Sequence, residues 1–187
     1  MAYLHCLALA LFTIPGHALT EPIAGAVALP PAVDLRLPFP EGAAVRVLSG
    51  YGPGAGSSLH ADTDRTDKAN DHYALDLVYD DEPDSGKGLP IVAPLPGTVV
   101  VAGWSDAGWA NYGLRVYLRH DLGDGHVYHS IYAHLDSIDG AIEEGVEVAQ
   151  GQPIGTLGQS CQGALSCGSF STPHLHWVCL LYTSRCV

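Results

Sequence analysis

Residues 127–134, Val-Tyr-His-Ser-Ile-Tyr-Ala-His, alternate so that Val127, His129, Ile131 and Ala133 share one side and Tyr128, Ser130, Tyr132 and His134 the other. That period of two is the signature of a strand. Shorter runs of the same character are found at Ala43–Leu48, Asp76–Tyr79, Gly113–Arg119, Val146–Val148 and Ile154–Leu157, and Leu89–Pro94 leads into a compact β-branched run at Gly97–Gly103. The loop His120–His126 contains Asp124-Gly125, a turn signal that predicts a hairpin between the strands on either side. No stretch of ten or more residues carries a convincing helical period. Glycine and proline, 22 and 13 residues, supply the many tight corners that a mainly antiparallel β chain needs.

Ahead of the first strand, residues 1–20 contain no Lys, Arg, Asp or Glu, and the short apolar run Leu7–Ile14 is followed by Pro15-Gly16-His17-Ala18. Small residues there suit cleavage after Ala18, so residues 1–18 are read as a secretory signal peptide. Residues 19–36, rich in Pro and Ala, are read as an extended arm, and 37–187 as one domain, the size range in which a single core forms. No other segment approaches the apolar length of a membrane span. Cleavage would remove Cys6 and leave Cys161, Cys167, Cys179 and Cys186, an even number consistent with two disulfides in any of three pairings. Pairing nearest neighbours would brace both sides of the segment around residues 172–177.

Charge narrows the function. Eight Lys and Arg face 20 Asp and Glu, a net charge of −12, and no basic patch is present to displace counterions from phosphates. Nucleic acid is therefore excluded as a partner, and anionic membrane surfaces are disfavoured. A secreted or periplasmic monomer is expected. The acidic runs Asp62–Asp67 and Asp80–Asp84 offer the hard oxygens that calcium uses, but the first lacks the glycine and glutamate of an EF-hand loop, and both read as solvated loops.

The candidate chemistry lies in histidines. In Thr172-Pro173-His174-Leu175-His176-Trp177, a strand would place His174 and His176 on one face, either as two histidines without a shared task or as the edge of a metal site. Further ligands are available in Asp71-His72-Tyr73-Ala74-Leu75-Asp76-Leu77. Zinc takes imidazole nitrogen and carboxylate oxygen, and a catalytic site commonly uses three protein ligands. His72, Asp76 and one member of the His174/His176 pair would make such a set. Four residues of straight strand span roughly 13 Å, so the chain must bend between His72 and Asp76; His72 is placed on an incoming loop and Asp76 near a strand start. His134 closes the run described above, on the face whose polar tips could line a cleft, with Tyr132 as a groove candidate and His129 pointing the other way.

In this order, His72-x3-Asp76, Tyr132-Ala133-His134-Leu135 and Pro173-His174-Leu175-His176 resemble the M23 metallopeptidases, the lysostaphin and LytM type of peptidoglycan endopeptidase. The likeness runs from about Leu37 to Val178 and includes Gly50-Tyr51-Gly52, Ala93–Val99, Asn111-Tyr112-Gly113 and Val148–Gly155. It implies an antiparallel sheet with a smaller packed β-element and long loops, and one zinc ion held by His72, Asp76 and His176. His134 and His174 match the two catalytic histidines that do not bind metal, with His174 preferred on the water side and His134 as transition-state stabiliser. The implied activity is zinc-dependent hydrolysis of peptide bonds in peptidoglycan cross-links or stems. A non-catalytic M23-like domain that binds cell wall or activates another hydrolase is the alternative. Two positions depart from the family's habit: Ala74 stands where glycine is common, and Trp177-Val178 where Phe-Glu commonly follows the His-x-His pair.

Overall fold

The computed structural model describes residues 33–50, 73–105, 112–168 and 172–182, the last four through their backbone alone. The expected signal peptide, the arm as far as residue 32, the first acidic run, His72 and Cys186 lie outside the described residues. The described residues form ten strands in order: β1 Val45–Ser49, β2 Leu75–Tyr79, β3 Pro90–Val92, β4 Gly97–Trp104, β5 Leu114–Asp121, β6 Val127–Leu135, β7 Ser137–Ile138, β8 Glu147–Val148, β9 Pro153–Thr156 and β10 Leu175–Tyr182. The helical content of the described residues is a four-residue 3-10 turn at Pro83–Gly86.

Seven strands form one antiparallel sheet in the order β1-β2-β10-β6-β5-β4-β8. Strands β3, β9 and β7 make a second, three-stranded antiparallel sheet. The mainly β architecture with a smaller β-element is thus the one expected. Its central pairing is non-local: β10 inserts between β2 and β6, so the far end of the described chain lies beside Asp76.

Alternation then sorts the side chains. Leu77 on β2, Leu175 and Trp177 on β10, Tyr132 on β6, Val116 and Leu118 on β5 and Val99 on β4 face inward and pack with Ile91 and Ile154 of the smaller sheet. Fully burying each such aliphatic side chain contributes about 1.5–3 kcal/mol, which makes this layer the main source of cohesion. The opposite face carries a smaller cluster, Ala74, Tyr112, Ile131, Ala133 and Val178, and beside it two buried polar residues, Asp76 and His176. At the entry to the domain, Leu35 is buried and the Arg36 N–H donates to the Pro94 carbonyl at 3.3 Å, so the end of the arm is fixed against the fold.

Candidate active site

Asp76 and His176 are direct cross-strand partners on β2 and β10. Their neighbours Leu75, Leu77, Leu175 and Trp177 belong to the core side, so period two turns both polar side chains to the other face. There the His176 Nδ1 lies 3.0 Å from Asp76 Oδ1, with both residues less than a tenth exposed. Removing a carboxylate from water is costly unless it is paired, and the adjacent imidazole meets that need.

His174 stands just ahead of β10, which begins at Leu175 and not at the histidine. It nevertheless shares the site: its Nε2 is 3.6 Å from Asp76 Oδ1. Its Nδ1 is 2.7 Å from the Thr172 carbonyl, which can only accept, so the ring carries a proton on Nδ1. Its backbone N–H donates to the Gly158 carbonyl at 3.0 Å.

His134 reaches the same cluster by breaking its strand's pattern. Between the pairs Leu114↔Leu135 and Val116↔Tyr132, β6 has one residue more than β5, which is a β-bulge, and His134 adopts φ 62°. A bulge re-aims side chains, and this one swings the imidazole away from the Tyr132 side. The His134 ring centroid is 4.8 Å from that of His174 and 5.7 Å from that of His176. Its Nδ1–H donates to the Ser160 carbonyl at 2.8 Å. Enclosure by protein, reinforced by the neighbouring His174 and His176 rings, pushes the His134 imidazolium down to about 3, so the ring is neutral at pH 7.

Two expectations about β6 are corrected by this geometry. The side formed by Tyr128, Ser130 and Tyr132 does not line a cleft: all three are buried, and the Tyr132 hydroxyl bonds Ser130 Oγ at 2.7 Å inside the core. His129, opposite Leu180 on β10, stands four residues before Ala133, the partner of His176, and so lies on the face of the site rather than opposite it, further along the strand. The aromatic group that does meet the cluster is Tyr112, whose ring centroid is 5.1 Å from that of His176. Tyr112 belonged to the family likeness through Asn111-Tyr112-Gly113 but read as an ordinary packing group, and the carbonyls of Thr172 and Ser160 carried no signal in the sequence.

The donor chemistry fits zinc. Two donors of one tetrahedral ion, each about 2.1 Å from it, stand about 3.4 Å apart. The Asp76–His176 pair offers one carboxylate oxygen and one imidazole nitrogen at close to that spacing. Among the described residues no group of three or more His, Cys, Asp or Glu is arranged to hold a metal; His72, expected as a further ligand, falls outside them. Close by, Cys161 and Cys167 form a disulfide with Cα atoms 5.7 Å apart, one of the two nearest-neighbour pairs.

A two-sheet β domain that gathers three imidazoles and a carboxylate on one face of its large sheet defines a candidate hydrolytic centre. The chain belongs to peptidase family M23, whose model matches residues 72–184, more than half of it. It is 32% identical over 90 residues to an L-Ala--D-Glu endopeptidase of Bacillus subtilis (strain 168), a match that covers 48% of this chain and 25% of the relative. The chain therefore spans about a quarter of the length of that relative. Among solved structures, that of lysostaphin in solution is 26% identical, with a TM-score of 0.50 over 74% of this chain and 44% of the other. The SpoIIQ-SpoIIIAH pore-forming complex contains a chain of the same fold, with a TM-score of 0.50, 24% identity and coverage of 78% and 82%.

Proposed function

We propose that this chain is a zinc-dependent endopeptidase acting on peptidoglycan, in its peptide cross-links or stems, with His72, Asp76 and His176 holding the metal. The observation that carries the proposal is the buried Asp76–His176 pair, 3.0 Å apart and flanked by two further imidazoles. A buried carboxylate–imidazole pair could serve structure alone, but the histidines at 134 and 174 add groups that move protons and that packing does not require. Kinship with an L-Ala--D-Glu endopeptidase and likeness to lysostaphin support the substrate class.

When bound, zinc supplies Lewis-acid polarisation of the scissile carbonyl and activation of the attacking water. The chain's own residues do the rest. His134 and His174 each hold a proton on Nδ1 through a main-chain carbonyl, so the neutral ring offers Nε2 as an acceptor. The ring that takes the proton from water becomes the donor to the leaving amine. His174, nearer the carboxylate of Asp76, is assigned the water side, and His134 the carbonyl side, where its Nε2 donates to the developing oxyanion only once it has taken up a proton. The Cys161–Cys167 disulfide supports an exported location, since such bonds persist in oxidising compartments.

Muropeptide release from purified peptidoglycan, with and without chelator, tests the activity. Metal-dependent release is expected from the wild type, and about one zinc per chain, which His176→Ala should lose. Unchanged zinc content in that variant overturns the ligand assignment, and no chelator-sensitive release across several wall chemistries would turn the reading to a non-catalytic wall-binding domain.

A further inference from the structure

The segment Gly158–Ser160 touches both non-ligating histidines. Gly158 presents its carbonyl to the His174 N–H at 3.0 Å, and Ser160 presents its carbonyl to His134 Nδ1 at 2.8 Å. Ser160 is fully buried, and its Oγ accepts the Leu114 N–H at 2.9 Å, so the residue bridges the end of β6 to the start of β5. The fit is close enough that a Cβ on Gly113 would collide with the Ser160 carbonyl, and one on Gly158 with the backbone of His134 and Asp136.

Immediately after Ser160 the chain leaves the protein body. Residues 162–166 are exposed and are tied back by Cys161 N–H to Ala164 O at 2.9 Å, Ala164 N–H to Cys161 O at 2.8 Å and Cys167 N–H to Gln159 O at 3.0 Å. The Cys161–Cys167 disulfide closes this excursion directly beside Ser160. An exposed loop with a few backbone bonds would otherwise fray on the side of the site where a carbonyl must stay in line with His134.

We propose that the Cys161–Cys167 loop is a brace for the proton-transfer histidines, and that Ser160 is a positioning residue which, through its main-chain carbonyl, fixes His134 as the Nδ1–H tautomer with Nε2 left for the substrate side. The proposal rests on the peptidase reading for its kinetic consequence but not for its tautomeric one. Neither Cys bonds to Asp76 or His176, so loss of the disulfide should leave metal and substrate binding in place while the imidazole drifts. Displacement of a reacting group by about 1 Å costs on the order of 100-fold in rate.

The test compares the full-length wild type with Cys161→Ser/Cys167→Ser, a substitution that avoids thiol reductants able to bind zinc. Expected are unchanged zinc content, KM for a peptidoglycan fragment within about twofold, and kcat lowered about tenfold or more. Long-range 1H–15N spectra of the histidine rings should show His134 with its proton on Nδ1 in the wild type, and a mixture of tautomers in the variant. If the double variant shows no cooperative melt, Ser160→Ala replaces it. That change keeps the carbonyl and the disulfide but drops the tether to Leu114, and a severalfold fall in kcat at constant KM is expected. A wild-type His134 protonated on Nε2 overturns the proposal, as does a folded variant with wild-type kcat and tautomer. If the wild type itself cleaves nothing, the peptidase reading fails, and the spectra alone decide on the brace.

Discussion

At His134 a single backbone angle separates what alternation indicates from what the site uses. Counting by twos along β6 puts His134 with Tyr132, and the structure puts it with His174 and His176, because the bulge adds a residue and φ reaches 62°. Nothing in Tyr-Ala-His-Leu announces a bulge, since its cause is the register against β5, a non-local property. Asp76 and His176 were more legible because strand periodicity alone predicts their faces, as their turned-out side chains show on β2 and β10. A left-handed residue with a Cβ is strained by about 1–2 kcal/mol, and glycine is not. His134→Gly should therefore be more stable than His134→Ala by roughly 0.5–1 kcal/mol, after the greater chain entropy of glycine is counted. Urea denaturation of the two variants measures this, and both lose the same imidazole bond to Ser160, so that contribution cancels. An alanine variant as stable as the glycine one would mean that the backbone relaxes out of the left-handed region when the ring is removed.

The β5–β6 hairpin holds a buried polar ladder that the sequence did not reveal. His120, read as a loop residue, instead lies inside β5 and is fully buried. Its Nδ1 donates to the Pro96 carbonyl at 2.7 Å, so Nε2 accepts from Ser130 Oγ at 2.7 Å, and Ser130 in turn accepts from the Tyr132 hydroxyl. The strands themselves were legible from β-branched alternation and the Asp-Gly turn; the ladder was not, because it depends on which residues the register sets opposite each other. Burial lowers the His120 pKa below its ordinary 6.5, with the Pro96 bond opposing and the charge of nearby His129 assisting. The sign follows: the unfolded chain binds this proton first, so the ladder's full contribution is present above about pH 6.5 and is lost as pH falls toward the folded-state value. One such proton gives a slope of at most about 1.4 kcal/mol per pH unit. Denaturation of the wild type and His120→Asn between pH 7.5 and 5 should show the variant less stable at the upper end but with the flatter profile. Parallel profiles would remove His120 as the source.

Across the whole molecule, the sheet order β1-β2-β10-β6 brings a carboxylate and an imidazole a hundred positions apart in the chain into contact. Their joint placement was expected from motif order and from the resemblance to M23 peptidases; the strand order that achieves it was not, since pairings of such separation leave no local trace. A metal held across β2 and β10 clasps strands from opposite ends of the domain, and its binding energy becomes stability because the unfolded chain keeps the ligands far apart. At free zinc about a thousandfold above Kd, the gain is about 4 kcal/mol. For a chain of this size each kcal/mol moves Tm by about 2–4 °C, so zinc should raise the melting temperature by roughly 8–16 °C over the chelated protein. Asp76→Asn preserves the size of the side chain and an oxygen toward His176 but removes the charge that a dication needs. It should melt at one temperature with zinc or with chelator. A wild-type chain whose melting ignores zinc, or an Asn variant that keeps the full shift, would show that the Asp76–His176 pair is a structural contact between strands and not a metal site.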